Sequence, residues 1–138
     1  MKLPFWVYML LVGKKSSGYN RKIYTGYTHH LVNRLTQHIG LNSVKGARIT
    51  RKQPIELVYL EKFSSRKLAL KREWDFKHTS PINQKPNKLS LIKEFQTKNA
   101  DILKDLNTTF EEHYQFLETL TIEIKKIEKG FERRLTPK

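Results

Sequence analysis

The sequence predicts an α+β fold: a small three-stranded mixed or antiparallel sheet flanked by helices, with a helical extension behind it. Three observations predict it. An unbroken apolar run from Phe5 to Val12 has the length and composition of a strand covered on both faces. Two further β-rich runs follow, bounded by Gly, Ser, Asn and Pro. Apolar residues recur at helical spacing after Thr28 and again beyond Leu103. With 138 residues the chain has room for one core of ordinary size, which excludes a large multidomain machine.

The elements can be justified in order. The opening MKLPFWVYMLLVG carries one Lys, is interrupted by Tyr8 and offers no small-residue cleavage site, so it reads as a strand and not as a leader. GKKSSGYNR then forms a long turn with a basic tip, leading to a second strand over Lys22 to Thr28 with Ile23, Tyr24 and Tyr27. Thr28 is placed to cap a helix whose apolar stripe is Leu31, Leu35 and Ile39, with Gly40 to stop it. Pro54 precedes a third strand, Ile55 to Leu60, and Ser64 or Ser65 caps a helix running to about His78. From Pro81 to Ser90 the periodicity lapses, which divides a domain over 1–90 from a helical extension over 91–138. Within the extension Leu103, Leu106, Phe110, His113, Leu117, Leu120, Ile124, Ile127 and Phe131 are spaced alternately by three and four, a heptad seam. Thr108 and Glu111 have capping-box spacing, so a break is expected near Asn107, between helices of about 89–106 and 108–134. The seam over 103–131 suits a homodimer or a partner helix, and the same spacing also describes an amphipathic helix packed on its own domain.

Charge narrows the function. The chain carries 27 Lys and Arg against 13 Asp and Glu, a net +14, so a polyanion is the expected partner, with nucleic acid ahead of a membrane surface. Residues 1–91 hold 18 basic and 4 acidic side chains, whereas 92–138 hold 9 of each, so the anion meets the first two thirds. The absence of cysteine excludes disulfides and thiolate zinc sites. No stretch reaches the roughly 18 apolar residues of a spanning helix, and an intracellular protein of unspecified compartment is expected, away from membranes.

Several residues are out of place for a plain core. At about 100° per residue, Glu73 falls inside the arc of Leu68, Ala69, Leu70, Trp74 and Phe76, where a carboxylate must be paired, protonated or metal-bound. An i,i+4 salt bridge to Lys77 is the plain reading, and a metal ligand or acid–base group the functional one. Arg34 and His38, also i,i+4, share a helix flank and can converge on one anion; a solvated basic flank is the alternative. Tyr8 and Tyr24 can share one side of the hairpin, as core or as chemistry. Gly26 removes a side chain where a substrate backbone could approach.

Taken together, Val7-Tyr8-Met9-Leu10, Tyr24-Thr25-Gly26, Asn33-Arg34-Leu35-Thr36-Gln37-His38 and Arg72-Glu73-Trp74 resemble the GIY-YIG nuclease domain over roughly residues 5–90. In that family the two tyrosine motifs, a helical Arg and a later helical Glu form one active site on a small sheet. Three features look closest to the Slx-type structure-specific endonucleases: the long insert between the tyrosine motifs; Gly46-Ala47-Arg48-Ile49-Thr50 after the first helix; and Glu73-Trp74 followed by His78. The zinc module of eukaryotic Slx-type members is built on cysteines and cannot exist here, so the obligate pairing with a scaffold that it would serve is not carried over to this chain.

The resemblance implies a metal-dependent DNA endonuclease acting on branched duplexes such as flaps, forks and Holliday junctions, in repair or recombination. Glu73 would hold one Mg²⁺ or Mn²⁺ and Arg34 would bind the scissile phosphate. Tyr24 would position or deprotonate the water, with Tyr8 completing the pocket, and His38 is the alternative base. DNA phosphates would be met by Lys14, Lys15, Lys45, Arg48, Thr50, Arg51, Lys52 and Lys77, giving recognition by shape rather than by base sequence. Two other readings stand beside this one: a non-catalytic basic nucleic-acid-binding module, and a nuclease of the same fold with another DNA target.

Overall fold

The computed structural model describes residues 4–13, 22–38, 55–78, 88–113, 117–135 and 137, with the side chains of 36–38, 110–113 and 117–121 outside that description. Strands β1 (Phe5–Val12), β2 (Lys22–Thr28) and β3 (Ile55–Phe63) form one sheet in the order β2-β1-β3. Both pairings are antiparallel, so of the two arrangements expected the antiparallel one holds. The third strand runs three residues beyond the expected Leu60, because Glu61 and Phe63 are themselves buried.

The central strand needs its apolar run because it is covered on both faces, and Trp6 through Leu10 are fully buried. Register is set by pairs such as Tyr8 with Gly26 and with Leu60, and slips by one residue between Met9 and Leu10. Helix α1 (Leu31–His38) follows β2 through a short link in which the Thr28 hydroxyl accepts the His30 N–H at 3.0 Å. His29 pins that link, bonding the Pro4 carbonyl at 3.1 Å and stacking on Phe5 at 4.3 Å. Ser65 is the cap residue of α2 (Arg66–Lys77), extended in backbone but without a side-chain cap bond. The helix stops at His78, whose N–H donates to the Trp74 carbonyl at 3.0 Å.

Three helices follow: α3 (Lys88–Lys98), α4 (Ala100–His113) and α5 (Leu117–Arg134). The break expected near Asn107 is absent, and α4 runs through it. Asn107 spends its side chain on strand β3: Oδ1 accepts the Leu57 N–H at 2.9 Å and Nδ2 donates to the Leu57 carbonyl at 3.4 Å. Thr109 donates to the Asp105 carbonyl at 2.8 Å, an interior-helix bond, so this turn is not a helix start. The junction falls instead at buried Asn99, whose Nδ2 donates to the Phe95 carbonyl at 3.1 Å.

Of the two readings of the seam, its described part follows the second, packing on its own domain. Leu103, Leu106, Ile124 and Phe131 are buried in the same core as the sheet, and Ile127 packs against it. Phe95 links the two parts, lying 5.4 Å from Tyr59 of β3 and 6.1 Å from Phe131 of α5. Phe110, His113, Leu117 and Leu120 have side chains outside the described residues. A stripe of bulky apolar side chains gains most where the nearest apolar surface is, and here that surface belongs to the same chain. Lys62 donates to the Glu132 carbonyl at 2.9 Å, a further tie across the boundary near residue 90.

Candidate active site

Four of the singled-out residues meet. Tyr8 comes from the middle of β1, and Tyr24 from β2, two pairs along the ladder. Their rings lie 6.3 Å apart, tilted by 39°. Arg34 projects from α1 and donates hydrogen bonds to both phenol oxygens. Glu73, on α2, lies close enough for its charge to act on Tyr8. Sheet, first helix and second helix therefore each contribute to one place.

Burial sets the electrostatics of Tyr8. Burial pushes the Tyr8 hydroxyl well above the ordinary tyrosine range, and the Tyr24 phenol and Glu73 push it the same way. The Arg34 bond and charge act downward without overcoming burial. Tyr8 therefore stays protonated at neutral pH and suits a positioning role. Burial opposes the Arg34 charge, but the bonds and attraction of Tyr8 and Tyr24 outweigh it and raise the guanidinium above its usual value. The result is a permanent cation held between two phenols.

Gly26 has a different use from the one expected. It pairs directly with Tyr8, and a Cβ at this position would overlap the Tyr8 ring and hydroxyl. The missing side chain makes room for the Tyr8 ring rather than for a substrate backbone. An aromatic lying over a cross-strand glycine also covers its exposed backbone.

Around Glu73 the expected apolar arc is only half real. Ala69 and Phe76 are buried, whereas Leu68, Leu70 and Trp74 are exposed, and Glu73 itself is 20% exposed. The salt bridge to Lys77 exists at 3.5 Å, with Lys77 47% exposed, so it is loose and solvated. Glu73 can thus exchange this partner for another cation.

A network beside it was not anticipated. Glu61, 4% exposed, accepts a bond from Arg72 Nε at 2.7 Å, and Tyr59 bonds to both groups. The Arg72 guanidinium also lies 4.4 Å from the centre of the Phe76 ring. This pair, with its carboxylate buried, ties α2 to β3 one residue before Glu73 and so fixes the rotation of the helix. Glu61 and Arg72 share no sequence periodicity, and their pairing across elements could be found only from the fold.

His38 closes α1, with its side chain outside the described residues. Lys14, Lys15, Lys45, Arg48, Thr50, Arg51 and Lys52 also lie outside them. Of the expected phosphate contacts, Lys77 alone is described, beside Glu73. Among the described residues no group of three His, Cys, Asp or Glu gathers as a metal site, and no helix is long and apolar enough to cross a membrane.

An arginine between two tyrosines, with a glutamate beside them on an antiparallel three-stranded sheet, defines a nuclease-type α+β domain. The family model for the GIY-YIG catalytic domain matches residues 4–83, more than half of the chain, and the chain belongs to that family. This is a nuclease fold, which implies a DNA substrate. A UPF0213 protein of Lactiplantibacillus plantarum is 37% identical over 79 residues, 55% of this chain and 69% of that protein. One from Staphylococcus haemolyticus is 38% identical over 76 residues, 54% of this chain and 84% of that protein. One from Streptococcus agalactiae is 34% identical over 99 residues, 71% of this chain and 98% of that protein. These relatives are UPF0213 proteins, and the narrower Slx-type likeness rests on the motifs alone. No solved structure matches.

Proposed function

We propose that the chain is a metal-dependent DNA endonuclease that hydrolyses phosphodiester bonds in branched duplexes. The observation that carries the reading is Arg34, bonded to Tyr8 and Tyr24 with Glu73 acting on the same cluster. A guanidinium oriented by two phenol oxygens suits a phosphate, a group that arginine can bind bidentately.

The donor set fits a hard divalent cation. Mg²⁺ or Mn²⁺ is commonly held by one or two carboxylates, with water and substrate phosphate filling the other positions, and Glu73 is a partly exposed carboxylate of that kind. Such an ion, when bound, would neutralise charge on the phosphate and stabilise the leaving oxygen. Arg34 holds the scissile phosphate and takes up charge that develops in the transition state. Tyr8 stays protonated and orients the guanidinium. Tyr24 positions the attacking water or accepts its proton, and His38 is the alternative base. Attack forms a new P–O bond while the bond to the leaving oxygen breaks, and that oxygen takes up a proton. The branched-DNA preference, and with it a role in repair or recombination, is supported by the Slx-type motif likeness, and the net +14 charge supports DNA as the partner.

The test is a labelled panel of linear duplex, single strand, flap, fork and four-way junction, each with Mg²⁺, Mn²⁺ or EDTA. Cleavage of a branched substrate with either ion, suppressed by EDTA, is expected. Cleavage unaffected by EDTA would remove the metal. Equal cleavage of linear duplex would remove the structural preference.

A further inference from the structure

The outer face of α2 carries an aromatic group that the hydrolytic cluster does not use. Trp74 is 59% exposed, an unusual cost for an indole in water. One of its faces stacks on the His78 imidazole at 4.1 Å and 18°. His78 is itself held, with Nδ1 2.8 Å from the Trp74 carbonyl. The indole is therefore fixed in orientation while its other face stays open.

Its neighbours are cationic. Lys67, Lys71, Trp74 and His78 follow one another at spacings of four, three and four, a single helix face, and all four are exposed. Exposed Leu70 and Lys77 flank the stripe, and exposed Arg66 stands at its start. Two lysines and an oriented aromatic along one face are what a single nucleic-acid strand requires, phosphates on the lysines and a base on the ring. A paired base inside a duplex presents no free face to stack. A second copy of this chain would bring the same positive charges against each other.

We propose that this face of α2 is a docking surface for single-stranded DNA, with an unpaired base stacked on the open face of Trp74. This rests on the nuclease reading for its purpose, since Trp74 follows Glu73 directly and would hold the unpaired arm of a branched substrate beside the site. It does not rest on that reading for its test.

The chain has two tryptophans, and Trp6 is fully buried, so a change in emission on binding reports Trp74. A twelve-residue thymidine strand, titrated in EDTA at low salt, should quench about half of the emission, as base stacking on the exposed indole requires. Trp74→Leu should abolish the quenching and weaken strand binding, read by anisotropy of a labelled strand, by roughly 5- to 150-fold. Binding of blunt duplex should change by less than about twofold, and Trp74→Phe should retain much of the strand affinity, because an aromatic ring remains. Strand binding that leaves Trp74 emission unchanged, or that Trp74→Leu does not weaken, would overturn the proposal. So would a blue shift of Trp74 on self-association or on phosphatidylserine vesicles with no response to the strand. Quenching without metal-dependent cleavage of any substrate would keep this surface and remove the endonuclease, and cleavage without quenching would do the reverse.

Discussion

Gly26 shows how one residue couples packing to the candidate chemistry. A Cβ there would overlap the Tyr8 ring, which is buried and bonded to Arg34. Gly26→Ala should lower stability by roughly 1–3 kcal/mol, the usual cost of overpacking. It should also reduce cleavage by moving Tyr8 off the guanidinium. A parallel drop in urea midpoint and in activity is the expected pair of measurements, and an unchanged midpoint would mean that the ring moves freely. At this scale the sequence was informative about residue type: Tyr8, Tyr24, Arg34 and Glu73 were all singled out because their chemistry is unusual for their positions. The purpose of Gly26 was hidden, since a glycine in a strand looks the same whether it admits a ligand or a neighbouring ring. Glu61 and Arg72 were invisible as a pair, because eleven residues separate them and only the packing of α2 on β3 brings them together.

At the scale of the element, α5 carries a titratable liability. Burial and the nearby Glu132 raise the Glu128 carboxyl above the usual 4.5, with Lys125 pulling the other way. A carboxyl raised in the folded chain favours folding when both states are protonated, below about pH 4.5, and loses that contribution as pH rises through the folded value. Glu128→Gln should therefore raise the melting midpoint at pH 7 and bring no gain near pH 3.5. A gain of equal size at both values would show that packing, not ionisation, is responsible. Strands and the first two helices were legible from apolar runs, Pro54 and the Ser64-Ser65 cap. The helical extension was legible only as an amphipathic stripe, because three-and-four spacing does not say whose surface that stripe covers. The Thr108 capping signal was overridden by tertiary structure, as Asn107 bonds β3 across the molecule and keeps α4 continuous.

For the whole molecule, the boundary near residue 90 separates charge but not core. Phe95, Asn107 and Phe131 each complete something that begins in the sheet: an aromatic cluster with Tyr59, the edge of β3, and the packing behind both. A chain ending at Ser90 should accordingly melt at much lower temperature than the full chain, or fail to fold. The full chain should be monomeric in light scattering, because the described part of its seam is already buried. An equally stable truncated chain would contradict the shared core. The central claim is that Glu73 serves hydrolysis and not merely the pairing with Lys77. It is tested most directly by measuring binding and cleavage of one branched substrate in parallel, with the parent chain and with Glu73→Gln. Cleavage in Mg²⁺ should fall by two or more powers of ten, on the order of a lost transition-state contact, while DNA affinity in EDTA stays within about threefold. Cleavage by Glu73→Gln within a few-fold of the parent would contradict the account.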